Sequence, residues 1–232
     1  MKMVNFKTRA ILPLLTGLLL LVTFTVSSGA TKSEVNNYIA KMNLSQDMEG
    51  TVKDSLDKAF SGGIVGEAKA LTVLRLLNER TSNDGNKLAI LNVLIEAINT
   101  DLPVNQLFNE TAEGLARGVP ITKVEQVLLQ WGRALDGTKN MLKENGVEIG
   151  TPLENETEVT RTVLYVVIED ITYSIEQFVL EKRAVTNEST KELKDRVIRV
   201  LKKDCRLSET LVSLLNRKIT GEELVEIASG LV

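Results

Sequence analysis

Three carboxylates stand at a spacing that chemistry can use. Glu169 and Asp170 are adjacent, and Glu176 follows Glu169 by seven residues. A seven-residue step on an α-helix returns close to the same face, so Glu169 and Glu176 stack along it. Two carboxylates across a cleft are the minimum set for general acid–base work, as in glycoside cleavage. The competing reading is a solvated helix face turned away from Val163, Val166 and Val167, which is ordinary for acids on a helix.

A second set is basic. Lys191, Lys194, Arg196, Arg199, Lys202, Lys203 and Arg206 stand against Glu192, Asp195 and Asp204 over residues 191–206, a local charge of +4. Leu193, Val197, Val200 and Leu201 give that segment an apolar side. A basic amphipathic helix can rest on an anionic lipid surface or on an acidic partner, which makes these seven cations the candidate interaction surface. The same apolar positions equally suit a helix that faces a core.

Other single residues read as structural. Cys205 continues the apolar side of that segment at a helix C-terminus, where the dipole disfavours a thiolate, so a small buried side chain is expected. An intermolecular disulfide is the alternative. Trp131 falls on an apolar stripe running from Val124 to Leu142, which predicts core packing. Ser82-Asn83-Asp84-Gly85-Asn86 has the composition of a turn and lacks the acid ladder and terminal Glu of a calcium loop. Asn43, Asn109, Asn155 and Asn187 begin glycosylation sequons, which matter only in a host that uses them.

Composition removes many reaction types. The 232 residues contain no His and a single Cys. Neither a Ser-His-Asp nor a Cys-His nucleophile system is possible, and no Cys-rich or His-based metal site can form. Phosphate-binding glycine loops and the GxSxG and HExxH patterns are missing as well. The expectation is therefore a chain without catalytic residues, cofactor or metal.

The elements that must position these residues begin after an address. Lys2, Lys7 and Arg9 precede residues 10–26, which are uncharged, and Ser27-Ser28-Gly29-Ala30 follows. A basic start, an apolar stretch and a small-x-small end describe a secretory signal peptide cut after Ala30. An uncleaved anchor is the rival reading, because the apolar stretch is near the lower limit for spanning a bilayer. Residues 1–30 hold three cations and no acid, so residues 31–232 carry 25 Lys+Arg against 31 Asp+Glu. That balance gives no general attraction for nucleic acid.

Residues 31–232 read as helices throughout. Apolar residues recur at three and four, with no period-two alternation. The pattern predicts roughly nine helices over about 33–60 (broken near Ser45), 64–80, 86–99, 103–118, 120–146, 156–184, 189–204 and a tail of two short ones. Val159, Val163, Val166, Val167, Ile171, Ile175 and Phe178 would share the buried face of helix 156–184. Val124, Val127, Leu128, Trp131, Leu135, Thr138, Met141 and Leu142 would do so in helix 120–146. Thr122 with Glu125, Ser189 with Glu192 and Thr220 with Glu223 have the spacing of capping boxes. Thr151-Pro152-Leu153-Glu154 reads as another helix start, and the polar loop 146–155 as a weak internal boundary. The fold class expected is all-α, an irregular multi-helix bundle with a possible solenoid-like array of short hairpins.

Residues 101–135, DLPVNQLFNETAEGLARGVPITKVEQVLLQWGRAL, repeat a Leu/Val-Pro start at Pro103 and Pro120. Proline suits a first helical turn, where its missing N–H has no partner anyway. With Glu113-Gly114-Leu115-Ala116-Arg117-Gly118-Val119-Pro120 between them, these starts resemble a motif of exported bacterial helical proteins of unknown function. The resemblance covers about 35 residues. It implies an exported helical domain and carries no activity or site residue.

Taken together, the sequence predicts an exported, non-catalytic helical protein that binds or scaffolds a macromolecule in the cell envelope or outside it. The alternatives are a membrane-tethered envelope protein that keeps its N-terminal anchor and rests helix 191–206 on anionic lipid, and a carboxylate-dependent enzyme acting on envelope polysaccharide.

Overall fold

A computed structural model describes residues 29–81, 83–150, 159–182, 187–203 and 209–231. Among them are ten α-helices and no strand: α1 Lys32–Ile39, α2 Gln46–Ser61, α3 Glu67–Arg80, α4 Asp84–Asn99, α5 Asn105–Ala116, α6 Ile121–Glu144, α7 Arg161–Lys182, α8 Asn187–Lys203, α9 Glu209–Lys218 and α10 Gly221–Gly230. The chain is an all-α multi-helix bundle. Residues 1–28 of the expected leader, Thr151-Pro152-Leu153-Glu154, Cys205 and Arg206 lie outside the described residues.

Packing divides the helices into two neighbourhoods that share α6. In the first, α1 packs on α3 and α3 on α5, while α2 packs on α4 and α4 on α6. Alternate helices thus stack in two rows, the arrangement of a helical-hairpin array. In the second, α7 lies on α6, α8 on α7, and α10 against α6, α7 and α8. One contiguous apolar core runs through both, from Val35 and Ile39 through Leu77, Leu107, Trp131 and Ile171 to Leu224.

Local chemistry sets the boundaries. Ser45 caps α2 by accepting the Met48 amide, and Thr31 with Glu34 and Thr220 with Glu223 close full capping boxes on α1 and α10. The box expected at Thr122 and Glu125 does not form. Helix α6 starts at Ile121, so Thr122 already lies inside it, and no side chain caps this end. Ser189 likewise sits inside α8, which begins two residues earlier at Asn187. Neither proline enters a helix. Pro120 is the N-cap of α6 and Pro103 precedes Val104, the N-cap of α5; the missing proline N–H costs nothing at either place.

The two glycines of the 101–135 motif have separate structural causes. Gly118 ends α5 at φ 70°, where its amide reaches Leu115 O at 3.1 Å and the Val119 amide reaches Gly114 O at 2.9 Å. Such a left-handed cap strains any residue with a Cβ. Gly114 serves an approach between helices: a Cβ there would stand 2.9 Å from Val124 Cγ2 on α6.

Candidate functional site

Helix α7 is enclosed over most of its surface. Leu164, Tyr165, Val167, Ile168, Ile171, Thr172, Ser174, Ile175, Phe178 and Val179 are all buried. Besides Arg161 and Val163 at its start and Glu181 and Lys182 at its end, what remains in contact with water is one narrow strip: Thr162, Val166, Glu169, Asp170, Tyr173, Glu176, Gln177 and Leu180. Val166, Tyr173 and Leu180 are 44%, 52% and 44% exposed. They recur every seven residues, so they align into a stripe about 21 Å long on a helix rising 1.5 Å per residue. This corrects the sequence reading, which put Val166 on the buried face. Val127 of α6, also expected inside, is 37% exposed. Val166 stands on the water side of α7, opposite Ile168 and Ile175, so apolar type alone does not decide burial.

Glu169 and Glu176 border this stripe, and neither is a freely solvated acid. Glu169 Oε1 accepts the Gln106 amide at 3.2 Å. Gln106 is in the first turn of α5, a helix with neither a side-chain cap of its own nor an acid in its first turn. Glu169 supplies that cap from another helix, at the positive end of the α5 dipole. Glu176 Oε1 accepts the Trp131 indole N–H at 3.0 Å. Trp131 is 2% exposed and packs in the core as expected, its polar edge satisfied by this carboxylate.

A third carboxylate, which sequence reasoning did not single out, joins them. Glu110 of α5 accepts from Gln106 Nε2 at 2.8 Å and feels the charge of Glu176. All three are held above the usual carboxylate range, chiefly because burial strips water from the charged form. Glu113 pushes Glu110 further up, Asp170 does so for Glu169, and Glu110 for Glu176. Their hydrogen bonds oppose the shift. Lys69 of α3 also opposes it at Glu169; burial lowers this ammonium, which donates to Asn105 Oδ1. The signal for Glu110 was not local: α5 and α7 meet only through tertiary packing.

The floor beneath the strip is polar at two points. Thr138 of α6 and Thr172 of α7, both fully buried, share a hydrogen bond at 2.9 Å. Tyr165 donates to Asp101 Oδ1 at 2.7 Å, and Arg161 Nε lies 3.8 Å from the same oxygen. Burial and the Asp101 carboxylate push the Tyr165 hydroxyl far up, so it stays a donor.

The basic set is partly committed to the fold. Arg196 grips Glu181 with two bonds of 2.8 and 3.0 Å, drawing that carboxyl below its usual range. Lys202 pairs with Glu209 at 3.0 Å, and Arg199 Nε reaches Asp195 O at 3.3 Å. Lys191 and Lys203 are exposed and Lys194 is half-buried. Leu193, Val197 and Leu201 are fully buried, so the apolar side of α8 faces the protein.

A separate open groove of about 580 Å³ lies between α6 and α10, lined by Arg133, Asp136, Asn140, Glu144, Glu223 and Glu226 among others. Its walls come close because Gly137 faces Ile227, where an added Cβ would stand 3.1 Å from Ile227 Cγ1. Among the described residues no group of His, Cys, Asp and Glu is placed to hold a metal ion, and no helix is long and apolar enough to cross a membrane.

No protein-family model matches this chain, nor does any curated protein or solved structure. Function is accordingly read from the side chains just described.

Proposed function

We propose that this chain is an exported, non-catalytic helical protein that binds a macromolecular partner in the cell envelope or outside it. The observation that carries the binding reading is the stripe of Val166, Tyr173 and Leu180 on α7. Three large side chains at heptad spacing on an otherwise enclosed helix form the kind of seam that a partner element covers. The hairpin rows of α1 to α6 supply a rigid frame for it. The carboxylates support binding better than turnover, since Glu169, Glu110 and Glu176 already accept bonds from donors of their own chain. Export is supported by the basic, apolar and small-residue sequence of residues 1–30.

The test is capture from envelope extract with the full-length gene product and its Tyr173→Asp variant. A partner retained by the first and lost by the second, at unchanged helicity, is the expected result. Intact mass of the accumulated protein tests the leader, because cleavage after Ala30 removes 30 residues. Hydrolysis of an envelope polysaccharide, abolished by Glu169→Gln, overturns the non-catalytic reading.

A second reading rests on the exposed Lys191, Arg199 and Lys203 of α8, which can meet an anionic membrane surface through charge alone. Flotation with anionic vesicles that weakens as salt rises supports it.

A further inference from the structure

The binding reading leaves the occupant of the α7 strip open, and the chemistry along its length narrows it. With Val166, Tyr173 and Leu180 as one heptad position, Glu169 and Glu176 occupy a flanking position of the same strip. A binding element laid along α7 therefore meets an apolar row and an acidic row side by side. Glu110 of α5 thickens the acidic side, and two cations of this chain already face it, Lys69 of α3 beside Glu169 and Arg117 beside Glu110.

Three occupants are disfavoured by that layout. A second copy of α7, in either direction, would bring Glu169 and Glu176 of both chains into one seam, four acids in a place already short of water. An anionic lipid surface and a nucleic acid meet the same repulsion. A helix carrying cations beside its apolar row meets none of it. Its Lys or Arg heads would stand over Glu169 and Glu176 while its aliphatic side chains cover Val166, Tyr173 and Leu180. Each carboxylate can accept about four hydrogen bonds, so the one or two donors that hold it in this chain leave capacity for an incoming cation.

Resting on the binding reading above, we infer that the α7 strip is the docking site for a basic amphipathic helix of another protein, laid along Val166, Tyr173 and Leu180 with its cations against Glu169 and Glu176. Burial has already removed much of the water from Glu110, Glu169 and Glu176, which raises their affinity for protons. A neighbouring ammonium or guanidinium offsets that cost, so part of the binding energy is stored in the unbound site. The charged rows fix register and direction, and the apolar row supplies contact area.

The test uses the full-length gene product as it accumulates and a synthetic peptide of three Leu-Ala-Ala-Lys-Lys-Ala-Ala heptads, with a twin carrying Glu for Lys. The buried Trp131, bonded to Glu176, reports occupancy through its emission, and calorimetry gives the affinity. The Lys peptide is expected to bind with Kd on the order of 10–100 µM, weakening as salt rises. Tyr173→Asp or Leu180→Lys should each weaken it about tenfold at unchanged circular dichroism. Glu169→Gln with Glu176→Gln should weaken it several-fold and flatten the salt dependence. Equal binding of the Glu twin, or no binding of the Lys peptide up to about 1 mM, overturns the inference. So does a dimer that Tyr173→Asp dissociates in sedimentation, which makes a second copy the occupant. A partner captured through Tyr173 while the Lys peptide fails leaves the binding reading standing and removes only this occupant.

Discussion

The indole N–H of Trp131 donates to Glu176 Oε1 at 3.0 Å, which makes the lone tryptophan of the chain a built-in reporter of one half-buried carboxylate. Protonating Glu176 converts its hydrogen-bonding partner from an ion to a neutral acid. The Trp131 emission should therefore titrate with pH. Its midpoint should lie above the ordinary glutamate value of about 4.3, because burial and the nearby Glu110 both disfavour the charged form. The check is emission against pH in the wild type and in Glu176→Gln, which should abolish the transition. A midpoint at or below the ordinary value contradicts the desolvation that the geometry implies.

The same shifts set the pH dependence of stability. Glu110, Glu169 and Glu176 have raised carboxyl groups in the folded state, so the folded chain holds more protons than the unfolded one in the window above the ordinary value. Stability from this source is present below the unfolded value and is lost as pH rises through the folded values. Lys69, lowered by burial, acts only in the alkaline range, and the lowered Glu181 and Glu209 act only below the ordinary carboxyl value. Melting temperature should rise when pH is taken from neutral to mildly acidic. Glu110→Gln should stabilise the protein at neutral pH and flatten that slope. A steeper slope in the variant counts against this account.

Glu169 caps a helix to which it does not belong. Helix α5 carries neither a capping side chain nor a first-turn acid, and the Gln106 amide finds its acceptor in α7. Glu169→Ala should cost about 1 kcal/mol in urea unfolding, the usual size of a lost N-cap. Glu169→Gln keeps an acceptor and should cost less. A gain in stability from both variants would mean that burial of the charge and its repulsion with Asp170 outweigh the cap, since both remove the charge.

The fold class and most buried positions were legible because helical periodicity is a local signal. Leu128, Trp131, Leu135 and Leu142 recur on one face, and they are buried. Thr220 and Glu223 sit next to an apolar run, and they form the box. The acidic row and the exposed stripe were less legible for a shared reason. Whether Val166 is covered depends on whether another helix lies over it, and the helices packed on α7, namely α6, α8 and α10, leave it exposed. A search for a seven-residue recurrence would have aligned Val166, Tyr173 and Leu180. Glu110 needed the approach of α5 to α7, which no spacing encodes.

The motif glycines give a sharper test of packing. Gly114→Ala places a methyl 2.9 Å from Val124 Cγ2, and the branched valine has little freedom to move. Overpacking of this kind costs about 1–3 kcal/mol, partly offset by the roughly 1 kcal/mol that alanine gains over glycine in a helix. Thermal unfolding should show Gly114→Ala destabilised and Gly114→Ala with Val124→Ala partly restored relative to Val124→Ala alone. Gly118→Ala should cost about 1–2 kcal/mol through its φ of 70°, with no rescue from Val124→Ala. The two glycines thus answer differently to one second-site change, as a packing contact and a backbone cap must.

The Thr138–Thr172 bond joins α6 to α7 where no water reaches, directly under the helix that carries the strip. Replacing one hydroxyl strands the other. Thr138→Val alone should cost about 1–3 kcal/mol, the penalty for a buried hydroxyl without a partner. A threonine inside a helix has a fallback, however, since its hydroxyl can turn to the carbonyl one turn earlier. Thr111 does this in the structure, donating to Leu107 O at 2.7 Å. The single-variant cost should accordingly fall toward the lower end of that range. Thr138→Val with Thr172→Val removes both polar groups at nearly constant shape and should be close to neutral. A double-mutant cycle from urea unfolding measures the difference. A coupling of about 1 kcal/mol is expected, whereas additive losses would mean that each hydroxyl is satisfied within its own helix.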